Sequence, residues 1–213
     1  MRILIIIRAI NVKYIIPSFL FSVLFWSSCQ AYTISGISLD DELAATPEHP
    51  KLLLNGAALR EIYFLVDAFV GGLYLEKRSH DAQAIIKSNT HKRMIFVVML
   101  NKVGARRIGN KMQAALVGSI SQEEHSALAN DIDQMLSYFD GKLIKGESVE
   151  FDYIPGSGTL VTIKGVKKGI IKGEKYFNAL LATWIGNTPI NRSFKKDMLG
   201  VNMPSNQVGT TNN

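Results

Sequence analysis

Residues 52–76 read LLLNGAALREIYFLVDAFVGGLYLE, and they resolve into three short runs, Leu52–Leu54, Leu59–Leu65 and Ala68–Leu75, rich in aliphatic and aromatic side chains. Runs of this length and composition are strand signals, and Asn55-Gly56 between the first two is a turn signal. Downstream, Met94–Leu100 (MIFVVML) is apolar enough for a central strand. The period then changes. Ile108, Met112, Ala115 and Leu116, and then Leu128, Ile132, Met135, Leu136 and Phe139, recur at three and four and predict two amphipathic helices. Ser121 followed by Glu124 is a capping box that opens the second. Glu147–Ile154, Thr159–Lys164 and Lys167–Lys172 return to strand character around Pro155-Gly156-Ser157-Gly158 and Lys164-Gly165. Glu174–Ile185 puts Tyr176, Phe177, Leu180, Leu181 and Trp184 on one helical face, and Pro189 is expected to open a last helix. This order gives an α+β fold, an antiparallel sheet with helices on one face.

The chain of 213 residues has room for one domain and at most a small second one. A hydrophobic share of 47% with 20% charged residues excludes a disordered, collagen-like or coiled-coil chain. The patterned region is residues 51–200, with 32–50 expected as an extended lead-in and 201–213 as a disordered polar tail. Ahead of them, Arg2, Arg8 and Lys13 precede the apolar run Tyr14–Trp26, followed by Ser27, Ser28, Cys29, Gln30 and Ala31. That is the layout of a secretory signal peptide over residues 1–31, cut near Ala31. The 13-residue run is shorter than the roughly 20 residues of a membrane-spanning helix, so no stable span is expected after cleavage. An uncleaved anchor and a lipoprotein cut before Cys29 are the competing readings. Cleavage removes three of the 24 basic residues and none of the 18 acids, leaving a net charge of +3. It also removes the single cysteine, so the mature chain forms no disulfide, which suits a periplasmic or secreted protein.

Most chemistry-bearing patterns are weak. His49, His80, His91 and His125 lack metal-ligand spacing and read as surface residues. Asp131 and Asp133, two apart on a helix, do not share a face. Gly156-Ser157-Gly158 precedes a strand and lacks a P-loop lysine, so it reads as a hairpin. The pairs Arg106-Arg107, Lys167-Lys168 and Lys195-Lys196 are isolated, and with export they speak against nucleic acid as a partner. Arg60 carries more information. A cation among so many apolar neighbours needs water, an acid such as Glu61, or an anionic ligand.

LNGAALR at 54–60, FVGGLYLE at 69–76, the strand MIFVVML with two helices behind it, the Gly-rich meander and FNALLATWIGNTPINRSFKKDMLG at 177–200 together resemble the chalcone isomerase-like family, in particular its exported bacterial branch. The resemblance covers nearly all of 51–200. It implies an open-faced β-sandwich, a large antiparallel sheet covered on one face by helices, with a ligand cleft between the two layers. It also implies that Arg60, which follows the glycine turn, binds the ligand. The polar position of the next strand, threonine or tyrosine in relatives, falls on Phe69. The active-site tyrosine and asparagine fall near Ala105 and Met112, with Asn110 as the nearest amide.

The expected function is therefore an exported, non-catalytic binding protein holding an acidic, largely apolar small molecule such as a fatty acid. Arg60 is its anchor, and Phe64, Phe69 and Met112 line the cleft. Tyr63 and Tyr74 are candidate hydroxyl donors. The alternative is an isomerase, an intramolecular lyase closing a ring on a phenolic enone polarised by Arg60. A third reading is an interaction protein in which Arg60 is paired internally. No cofactor or metal is expected, and the protein is expected to be a monomer.

Overall fold

The computed structural model describes residues 31–47, 49–62 and 66–203. Its elements are β1 (Ala31–Ile34), β2 (Ile37–Asp40), β3 (Glu42–Leu43), β4 (Leu52–Ile62), β5 (Val66–Leu75), α1 (Ala82–Lys87), β6 (Lys92–Val98), β7 (Lys102–Gly104), α2 (Ala105–Val117), α3 (Gln122–Ser137), β8 (Lys142–Ile144), β9 (Ser148–Ile154), β10 (Gly158–Ile163), β11 (Val166–Lys172), α4 (Lys175–Ile185) and α5 (Arg192–Met198). Seven strands form one antiparallel sheet in the order β11-β10-β9-β6-β5-β4-β3. The fold is the α+β, helix-backed antiparallel sheet expected from the sequence. Among the described residues, no helix is long and apolar enough to cross a membrane.

Alternation along each strand sorts side chains between the two faces. On the helix side, Leu73, Met94, Phe96 and Phe151 meet Met112, Leu116, Leu136, Phe177 and Trp184 in the main core. On the other side, Val70, Tyr74 and Val97 pack with Leu39 and, at the rim, Tyr32, Ile34 and Ile37. The lead-in is thus more than a connector. Its β1–β2 hairpin covers part of the outer face and β3 adds an edge strand. Its apolar residues were unreadable as a pattern because the hairpin is only four residues a side.

Two other local expectations change. Asn55-Gly56 is not a turn but lies inside the 11-residue strand β4, at a register shift. There the Asn55 amide donates to the Met198 carbonyl (3.1 Å) and accepts from the Ser79 backbone N–H (2.7 Å), docking the end of α5. The last helix begins at Arg192, capped by the Asn191 side chain on the Phe194 N–H, so Pro189 stays outside it. Residues 1–30 and most of the tail, 204–213, lie outside the described residues. The Ser121–Glu124 capping box forms as expected, with reciprocal bonds of 3.1 and 2.8 Å that hold the Glu124 carboxyl below its usual range.

Close approach explains three glycines. A Cβ at Gly56 would overlap the Asp197 carbonyl and lie 2.5 Å from that of Met198. A Cβ at Gly71 would lie 2.6 Å from Phe194 Cζ on the helix side, and one at Gly72 would lie 2.9 Å from Leu39 Cδ1 on the outer side. Two adjacent glycines therefore let both covering layers reach the same strand.

Lys92 is fully buried at the start of β6. Its ammonium donates to the Ile85 carbonyl (3.1 Å), the Ser88 carbonyl (2.5 Å) and Ser88 Oγ (3.2 Å), closing the C-terminal end of α1. It also sits 4.9 Å from the Tyr153 ring centroid and 5.9 Å from that of Phe177. Burial pulls it down to about 8, with Glu174 opposing.

Two predictions follow from this packing. Gly56→Ala should cost about 3 kcal/mol in denaturant unfolding and Gly71→Ala less, because a ring edge yields more readily than backbone; wild-type stability of Gly56→Ala would contradict the packing. For Lys92, the folded state holds fewer protons than the unfolded chain between pH 8 and the ordinary 10.5. Its contribution to stability must therefore rise with pH across that window, by at most about 1.4 kcal/mol per pH unit. Unfolding of wild type and Lys92→Met at pH 7.5 and 10, two conditions about the ends of that window, isolates the effect: the difference between them should shift toward wild type at the higher pH.

Candidate functional site

Register places Arg60 directly opposite Phe69, so both project to the helix side of the sheet. Phe69 enters an aromatic group whose rings stack edge-on or tilted. Its centroid lies 5.3 Å from Phe96, 5.8 Å from Trp184 and 6.0 Å from Phe194, and Trp184 lies 5.2 Å from both Phe96 and Phe194. Helix α4 brings Trp184 and α5 brings Phe194. The Ser119–Thr183 hydroxyl bond of 2.8 Å pins α4 against the end of α2.

Two polar groups in this layer lack partners. Arg60 is half-buried, and among the described residues no carboxylate or carbonyl holds its guanidinium. The Trp184 indole Nε1–H is buried with no acceptor among the described residues. An unsatisfied buried donor costs about 1–3 kcal/mol, more for a charged group. Both groups are donors only. Each can donate to a carboxylate or carbonyl oxygen.

The remaining residues singled out from the sequence fall in different places. Met112 lies on the inner face of α2, in the same core as Phe69. Phe69 is partly buried, its ring packed between the sheet and the helices. Tyr74 is on the opposite face of the sheet, where its hydroxyl donates to the Asp40 carbonyl at 2.9 Å, and burial together with Asp40 pushes its ionisation up. It cannot share a ligand with Arg60, because the alternation of β5 separates them. Tyr63 and Phe64 lie outside the described residues. Ala105 is buried, whereas Asn110 is exposed on α2 and does not supply an amide to the layer. His49 is buried rather than on the surface, with Nδ1 2.7 Å from the Pro50 carbonyl. Among the described residues, no cluster of metal-ligating side chains occurs.

Trp184 was read in the sequence as one member of an apolar helix face, and its unpartnered N–H had no signal there. The outer face carries a groove of about 480 Å3, bordered by Leu39, Tyr74, Arg93, Ile95 and Ser148. Its cation is already neutralised. Arg93 reaches Asp152 at 2.5 Å and Glu150 at 3.4 Å, and burial raises the Asp152 carboxyl against the pull of that arginine. Arg60 thus differs from Arg93 in having no such acids among the described residues.

The model of a family described as chalcone isomerase-like matches residues 31–200. Among curated proteins, none matches the sequence. Among solved structures, a fatty-acid binding protein of Arabidopsis thaliana superposes with a TM-score of 0.65 at 15% identity, over 80% of this chain and 96% of that one. At that identity the likeness is one of fold.

Proposed function

Since the chain belongs to the chalcone isomerase-like family, we propose that it is a non-catalytic binding protein for an acidic, largely apolar small molecule of fatty-acid type, held between the sheet and the helices. The observation that carries this reading is the half-buried Arg60 guanidinium, without an internal anion among the described residues, at the end of an aromatic layer. A guanidinium presents a planar fork that matches a carboxylate, and the bond strengthens away from water. The Trp184 N–H is the second donor, for the other carboxylate oxygen or a neighbouring carbonyl. An acyl tail gains about 0.8 kcal/mol per buried methylene, provided that Phe69 swings aside to admit it. The fold shared with a plant fatty-acid binding protein supports the same choice.

The ring-closing isomerase has less support. The resemblance implies a hydroxyl-bearing residue at the position of Phe69, where this chain has none, and Asn110 faces solvent. The proposal extends to the N-terminus: residues 1–31 act as an export signal, and the protein works as a monomer in the periplasm or outside the cell, as a member of the family's exported bacterial branch.

Titration calorimetry with a medium-chain fatty acid tests the reading. Wild type should bind one equivalent, and Arg60→Ala should lose about ten- to a hundredfold in affinity, the worth of a hydrogen bond to a charged group. Phe69→Ala should bind at least as tightly as wild type. A folded wild type that takes up no acid, or an Arg60→Ala variant that binds equally well, would overturn it.

A further inference from the structure

The two-stranded ribbon β7–β8 and the β10–β11 hairpin come together at one end of the sheet. Lys164 Nζ donates to the Lys142 carbonyl at 3.1 Å and pairs with Glu147 at 3.3 Å, while Glu147 also accepts from the Ile144 N–H at 2.9 Å. Across residues 101–104, 140–148 and 163–168 the chain supplies six lysines, at 102, 142, 145, 164, 167 and 168, against two acids, Asp140 and Glu147. Both acids are engaged, Asp140 by Lys168 at 3.3 Å. Among the lysines stand two large aliphatic side chains open to solvent, Ile144 at 50% and Val166 at 57% exposure. Lys102 is the cross-strand partner of Ile144. Lys164 occupies the first position of a two-residue hairpin at φ +57°, a conformation in which glycine or asparagine is less crowded.

This end is also the Arg60 end. Arg60 pairs with Phe69, Phe69 with Val98, and Val98 exchanges backbone hydrogen bonds with Gly146 (2.8 Å) and Glu147 (2.9 Å). The lysine-rich tip and the mouth of the layer therefore share one row across the sheet.

We infer that this tip docks the protein on an anionic lipid surface, with the lysines meeting headgroup phosphates and Ile144 and Val166 entering the interface. Lysines on flexible stems around exposed aliphatic residues suit a bilayer surface, where each basic side chain adds attraction and each buried aliphatic group adds transfer energy. A nucleic acid would instead be met by arginine forks and stacking aromatic rings, and the tip's exposed residues include neither. The inference does not depend on what the layer holds.

Co-sedimentation of the full chain with vesicles of phosphatidylcholine, with and without one part in about three of phosphatidylglycerol, is the test. Wild type should bind the anionic vesicles more tightly than the neutral ones, and salt should weaken that preference. Replacing Lys102, Lys142 and Lys145, all exposed, by glutamine should weaken anionic binding roughly a hundredfold, about fivefold per lysine. Ile144→Ser with Val166→Ser should weaken it about tenfold while leaving the melting transition in place. Equal binding to both vesicle types, an unchanged triple variant, or duplex DNA bound as tightly as the anionic vesicles would each overturn the inference.

Discussion

The contact of Phe194 with the bare backbone at Gly71 is the constraint on which the structure turns. Without a side chain at Gly71, the Phe194 ring can lie against β5, and Trp184 then closes over Phe69 and Phe96. This seam fastens the two C-terminal helices to the middle of the sheet. Asn55 and Gly56 complete it from β4 by taking the carbonyl end of α5 directly against a strand. Aromatic edge-to-face pairs each add about 0.5–1.5 kcal/mol beyond area burial, so the seam is both well fixed and able to reopen if one ring rotates.

The two faces of the sheet handle buried charge in opposite ways. On the outer face, Arg93 is surrounded by Glu150 and Asp152, Tyr74 gives its proton to a carbonyl, and the β1–β2 hairpin lies over the result. On the helix side, Lys92 spends its donors on the end of α1. Arg60 alone of these three cations is left without an internal oxygen among the described residues. That asymmetry, more than the size of any cavity, is the reason we propose the helix side as the place for an anionic ligand.

The sequence was informative wherever burial imposes a period. Helices α2, α3 and α4 and the strands β6, β9, β10 and β11 could be placed because one face of each must be apolar, and the Ser121 cap because its bonds are local. Asn55-Gly56 misled because its glycine serves a contact with Asp197 and Met198 more than 140 residues away, and no local pattern encodes a distant carbonyl. The β1–β2 hairpin was hidden because four-residue strands show too little alternation. For the site, Arg60 and Phe69 were legible as residues but not as neighbours in one layer. The face that Tyr74 occupies was not legible, since the side of a strand on which helices pack is decided by topology. The lysine tip stayed invisible because its members come from three stretches separated along the chain.

The most direct measurement follows the indole N–H of Trp184 by proton–nitrogen correlation, in protein labelled at its two tryptophans, Trp26 and Trp184, as a fatty acid is added. If the layer receives a carboxylate between Arg60 and Trp184, that resonance moves downfield as the proton gains an acceptor, and it stays in place in Arg60→Ala. A Trp184 signal that remains unmoved in wild type at saturating acid would contradict the assignment of the ligand to this layer.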